Sequence, residues 1–159
     1  MKLGAKISIG TLAGAAVIAV IIFLFFRRMK KKSYFTIEEL SKTSQPYDNT
    51  PTAEARGNLQ QLIDNVLDPL REAYGQPIYV SSGYRSPQVN AAVGGVLNSQ
   101  HMKGQAADIY TKDGKGGNKR LFDLIIDMGN FDQVIDEKNY QWVHVSYNKS
   151  GNRGQVLHL

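Results

Sequence analysis

Three side chains in this sequence have the types and order of a metal site. His101 lies in SQHMKGQAAD, Ser99 to Asp108, and seven residues later Asp108 follows in Ala106-Ala107-Asp108-Ile109, the small, apolar setting expected of a buried strand. His144, in the run WVHVSY, could supply a third ligand from a second strand. Two imidazoles and a carboxylate leave one position of a tetrahedral zinc free for water, whose pKa the metal lowers towards about 7 for attack on an amide carbonyl. Spacing alone leaves a second reading open, because a histidine and an aspartate are commonly satisfied by ordinary hydrogen bonds. His158 lies one residue from the C-terminus, where fraying is expected, and is a poor ligand candidate. The chain has no cysteine, so a disulfide scaffold and a thiolate zinc site are both excluded.

The elements that must carry these residues follow from periodicity. Thr36 and Glu39 form a capping box for a short helix, TIEELS, and SQPYDNTP reads as a turn-rich loop. From Ala53 to Tyr74, Leu59, Leu62, Ile63, Val66, Leu67 and Leu70 recur at three and four, predicting an amphipathic helix that Pro69 kinks or divides and Gly75 ends. PIYVSS, 77 to 82, reads as a strand running into Gly83-Tyr84-Arg85, and Ser86-Pro87 opens a short helix ending at Gly94-Gly95. Arg85 therefore stands at a strand-to-helix junction, where side chains commonly face a site.

Ala106 to Thr111 reads as a strand, DGKGGNK as a flexible loop, and Arg120 to Met128 as a helix. FDQVI and WVHVSY read as an antiparallel hairpin joined by DEKNYQ, with QVLHL as a last short strand. A period of two in WVHVSY places Trp142, His144 and Ser146 on one face and Val143, Val145 and Tyr147 on the other. The fold expected is α+β, a small antiparallel sheet with helices packed on it.

SGYRS at 82 to 86, SQHMKGQAAD at 99 to 108 and WVHVS at 142 to 146, in that order, resemble the zinc D-alanyl-D-alanine carboxypeptidase family, which includes D,D-dipeptidases and phage L-alanyl-D-glutamate endopeptidases. Its signature, S-x-H-x-x-G-x-A-x-D followed by a distant W-x-H, is matched at every fixed position, and the likeness runs from about Tyr34 to the C-terminus. The resemblance is to the short, phage-encoded branch. It implies a D-Ala-D-Ala metallopeptidase or hedgehog-like fold, one Zn²⁺ held by His101, Asp108 and His144, and a peptidoglycan stem peptide as substrate. It also implies that Arg85 binds a substrate carboxylate or a developing oxyanion; a structural salt bridge is the alternative.

Ser99 either hydrogen-bonds substrate or caps the turn before His101, and Trp142 either floors the site or belongs to the core. One departure touches the mechanism. Family members resembling this chain carry Glu or Asp three residues before the last zinc histidine, where this chain has Gln141, which cannot take a proton at neutral pH. Glu137, with Asp136 as alternative, lies across the expected hairpin and is the replacement candidate, against the reading of both as solvated turn acids. Gln141 leaves two other function classes in view. One is a catalytically idle, zinc-containing module that binds wall peptide, as hedgehog signalling domains share the fold while acting as ligands. The other is a membrane-bound structural or lysis accessory.

The net charge of +5 is unevenly placed. Residues 1–32 hold seven of the 19 Lys and Arg and no acid, which leaves 12 basic against 14 acidic side chains in 33–159, a net of −2. A mildly acidic domain argues against nucleic acid as partner. Ile7 to Phe26 is 20 residues without a charge, long enough at 1.5 Å per residue to cross a hydrocarbon core of about 30 Å. The expected organisation is a transmembrane anchor with a basic flank, 1–32, followed by a zinc peptidase-like domain, 33–159. The basic residues after the span give a modest positive-inside bias towards a cytoplasmic domain, but a wall-cutting activity requires the opposite side, and a periplasmic or extracytoplasmic domain is the placement expected.

Overall fold

A computed structural model describes residues 33–159. The expected membrane-spanning helix at 7–26 lies outside the described residues, and among those described no helix is long and apolar enough to cross a membrane. The elements in chain order are α1 (Ile37–Leu40), α2 (Ala53–Leu62), a π-helical turn (Ile63–Leu67), α3 (Asp68–Tyr74), β1 (Tyr79–Ser82), α4 (Pro87–Ala92), a 3₁₀ turn (Gln100–Lys103), β2 (Ala106–Tyr110), α5 (Gly114–Met128), β3 (Gln133–Glu137), β4 (Trp142–Ser146) and β5 (Gln155–His158).

The class is α+β as expected, but the sheet is mixed rather than antiparallel. Its order is β1-β2-β4-β3-β5, and β5 runs parallel to β3 while all other pairs are antiparallel. The reason is the connection: 147–154 carries the chain from the end of β4 past the start of β3, so β5 enters beside Gln133 and runs in its direction. The sheet's inner face presents Ala107, Ile109, Val134, Val143 and Val145, all buried against Leu59, Leu62, Ile63, Val66, Leu70, Leu121, Phe122 and Ile125 of the helices. Fully burying each large aliphatic side chain stabilises the fold by about 1.5–3 kcal/mol.

Two helical expectations are revised. The stripe from Ala53 to Tyr74 is helical throughout, but the change of register occurs in the π turn, and Pro69 falls in the first turn of α3, where a missing N–H is tolerated. DGKGGNK is not a loop: Gly114 to Lys119 are the first turns of α5. Packing overrides weak local propensity here, for Gly117 and Asn118 are buried, and Asn118 accepts a bond from the Thr111 N–H at 2.7 Å while donating to the Tyr140 and Gln141 carbonyls.

Candidate metal centre

The sheet's other face carries the site. Asp108 on β2 stands directly opposite His144 on β4, and His144 in turn opposite Ile135 on β3. Two candidate ligands are thus fixed by strand register alone. The third comes from a turn: Ser99 Oγ accepts the His101 N–H at 3.3 Å, and Gly104, at φ +69°, closes the 3₁₀ turn with its N–H bonded to the His101 carbonyl. Of the two readings of Ser99, the capping bond is present; Ser99 also lines the cleft.

His101 Nε2, His144 Nδ1 and Asp108 Oδ1 form a small triangle. The separations are 3.2 Å between the two nitrogens, 3.2 Å from His101 to Asp108 and 2.9 Å from His144 to Asp108, and all three residues are buried. His101 Nδ1 lies 2.7 Å from the Gly83 carbonyl, which assigns the proton to Nδ1 and leaves Nε2 a bare lone pair. That lone pair faces a second imidazole nitrogen and a carboxylate oxygen, and a single proton among them cannot satisfy all three edges. A cation can. The edge of a tetrahedral zinc shell with bonds of about 2.0–2.1 Å is about 3.3 Å, close to what these donors already present. The residues therefore fit zinc in type, number and spacing.

Around the triangle, Arg85 donates from Nη2 to Asp108 Oδ2 at 2.6 Å and from Nε to Ser82 Oγ at 2.8 Å. The salt-bridge reading of Arg85 is thus present, and its effect is to tie one oxygen of Asp108 while the other faces the histidines. Burial pushes the Asp108 carboxyl up, but hydrogen bonds and charge from His101 and His144 outweigh it and hold the group below the usual carboxylate range. The segment carrying Arg85 is pinned by groups that no motif marks. The Arg85 N–H bonds the His101 carbonyl, the Tyr84 N–H bonds the Leu40 carbonyl, and buried Asn49 donates to the Ser41 and Tyr84 carbonyls while accepting the Ser86 N–H.

A cleft of about 820 Å³ opens over the triangle, lined among others by Arg85, Ser99, Glu137, Trp142 and Arg153. Trp142 is half-buried at its wall rather than in the core, with Lys138 Nζ 5.3 Å from its ring centre. Glu137 pairs with Trp142, two cross-strand pairs beyond Ile135 and His144, and so shares their face. Asp136 does not. It points to the helix side, is buried, accepts the Tyr140 N–H and sits 2.7 Å from His158 Nδ1, which removes it as an alternative base and equally removes its reading as a solvated turn acid. The strand extends to Glu137 instead of ending at Ile135, and the turn is the short left-handed run Lys138, Asn139 and Tyr140, with φ of 50°, 55° and 60°. Gln141 is exposed at the end of that turn, away from the cleft lining. His158, expected to fray, is held in β5 on the far side of the sheet from the His101, Asp108 and His144 triangle.

The model of one family, Peptidase M15, matches residues 33–146. The chain belongs to the peptidase M15 family. It is 36% identical over 77 residues to the zinc D-Ala-D-Ala carboxypeptidase of Streptomyces albus G, an alignment covering 47% of this chain and 30% of that protein. Within this M15 domain, the residues that motif reasoning missed are Asn49, Gly83 through its carbonyl, Asn118, and the cluster Gln100, Asp132 and Arg153 at the cleft's far end.

Proposed function

We propose that the protein is a zinc-dependent peptidoglycan peptidase that hydrolyses a D-alanyl or L-alanyl-D-glutamyl bond of the wall stem peptide. The observation that carries this reading is the buried donor triangle at the floor of a cleft that also holds a carboxylate, Glu137, on the same sheet face. Family membership and the Streptomyces relative's name agree with it.

In this reading His101, Asp108 and His144 hold the metal, which when bound activates a water and polarises the scissile carbonyl. Arg85 keeps Asp108 oriented through Oδ2, and its Nη1, which has no hydrogen bond to protein, is available to an oxyanion. Glu137 takes the proton of the attacking water and returns it to the leaving amine. Trp142 forms an apolar wall that holds the peptide and excludes water. Gln141 takes no part. Residues 7–26 anchor the chain in a membrane with the domain on the side where the wall lies, and the likeness to the short branch favours a phage or prophage gene; protection of the domain from protease in intact spheroplasts would overturn the topology.

The test of activity is metal content by mass spectrometry together with release of peptide ends from purified peptidoglycan, with and without chelator. One zinc per chain with chelator-sensitive cleavage is expected. Bound zinc with wall-peptide binding and no cleavage would refute the peptidase and leave the binding module.

A further inference from the structure

The cleft has two ends, and strand register orders them. Glu137 and Trp142 lie to one side of the row formed by Ile135 and His144, and Gln133 lies to the other, opposite Ser146. At this second end the lining includes Gln100, Gln133 and Arg153, which the proposed chemistry does not use. The loop carrying Arg153 is built with care. Asn148 and Asn152 bond within it, Asn152 reaches Asn130, and the Gln155 N–H bonds the Asp132 carbonyl.

Asp132 is the anchor. Its side chain is 2% exposed; Oδ1 accepts the Arg153 backbone N–H and Nε, both at 3.0 Å, and Oδ2 accepts Arg153 Nη2 and Gln100 Nε2, both at 2.6 Å. The Nε side of the guanidinium is therefore occupied. Nη1 has no hydrogen bond to protein, and the side chain is 55% exposed. A planar guanidinium held along one edge presents its other edge in a fixed direction, which suits bidentate recognition of a carboxylate. The other arginine of the cleft, Arg85, is held by Asp108 and Ser82 beside the triangle, where the proposed chemistry uses its Nη1.

We propose that Arg153 is a specificity residue: its outer guanidinium edge receives a free carboxylate of the substrate peptide, in a position fixed by Asp132. The assignment rests on the peptidase reading above. At about 3.3 Å per strand residue, the Asp132 anchor lies roughly 10 Å along β3 from Ile135, a span of about three extended residues. The carboxylate recognised thus belongs to a residue up to about three positions from the scissile bond.

The experiment uses the zinc-loaded full chain and synthetic stem peptides in matched pairs, each free carboxylate in turn replaced by carboxamide, with binding measured by calorimetry alongside cleavage. For one such pair the wild type is expected to favour the acid by about 10- to 100-fold, the strength of a charge-assisted hydrogen bond. That preference should collapse in Arg153→Gln. Because the glutamine variant strips buried Asp132 of its cation and folding can fail, Arg153→Lys serves as the second variant: it keeps a charge beside Asp132 but lacks the planar edge, and the acid-to-amide ratio should fall in it also. An unchanged ratio in the lysine variant would overturn the assignment while leaving the peptidase intact. A wild type that neither binds nor cleaves any of these peptides, with zinc present, would overturn both.

Discussion

Two glycines in the same backbone conformation offer a controlled experiment on what holds His101. Gly104 and Gly129 have φ of +69° and +67°, and each ends a helical segment. A Cβ on Gly129 would meet nothing within 4 Å, whereas one on Gly104 would lie 2.3 Å from the Ala55 carbonyl oxygen and 2.9 Å from its carbon. Gly129→Ala therefore bears only the left-handed conformational term, about 1–2 kcal/mol. Gly104→Ala bears that term and an overlap of about 1 Å with α2 backbone, which adds about 1–3 kcal/mol. The expected losses are about 1–2 kcal/mol for Gly129→Ala and about 2–5 kcal/mol for Gly104→Ala, read from urea denaturation of the metal-free protein. Since the turn must shift to relieve the overlap, Gly104→Ala should also weaken zinc binding in a chelator competition, and Gly129→Ala should not. Equal stabilities within about 0.5 kcal/mol, or unaltered zinc affinity in Gly104→Ala, would refute the view that α2 positions the His101 turn.

Glu137→Gln is expected to lower kcat by about 10² to 10⁴, while Gln141→Glu and Asp136→Asn leave it in place; steady-state cleavage of muropeptides checks this, and an active Glu137→Gln would remove Glu137 as base. Arg85→Met should weaken zinc binding by about 10- to 100-fold through loss of the Asp108 bond, measured by the same competition. The Asp132 bridge predicts a pH dependence. Hydrogen bonds from the Arg153 side chain, opposed by burial, hold the Asp132 carboxyl below the usual range. A lowered folded value means that the stabilisation is complete above the unfolded value of about 3.9 and disappears as pH falls through the folded one. Wild type should thus exceed Asp132→Asn by about 1–2 kcal/mol at neutral pH, with the gap closing in acid; a gap independent of pH would refute the bridge.

What the sequence made legible was what repeats or has fixed spacing. The alternation in WVHVSY placed Trp142 and His144 on the face they occupy, and the leucine stripe placed α2 and α3 on the core. Two misreadings share a cause. DGKGGNK looks like loop because three glycines weaken helix propensity, yet buried Asn118 commits it to α5; FDQVI looks like the whole strand because Asp136 and Glu137 are acidic, yet Asp136 is buried beside His158. In both, a single polar side chain satisfied inside the fold outweighed local composition, and nothing in composition reveals which polar residue has a partner. The parallel entry of β5 and the Gln100, Asp132 and Arg153 cluster depend on residues up to 32 positions apart meeting in space, beyond any window of periodicity.

The three candidate ligands are not equally rigid. Asp108 and His144 sit on β2 and β4, interior strands whose amides should exchange with solvent only when the whole domain opens, whereas His101 sits on a four-residue 3₁₀ turn. The metal should therefore leave by a hinge-like excursion of 99–104 without unfolding. Its release rate would then follow the local opening of that turn, and deuterium uptake on zinc removal would rise first at Ser99 to Gly104 while the sheet stays protected.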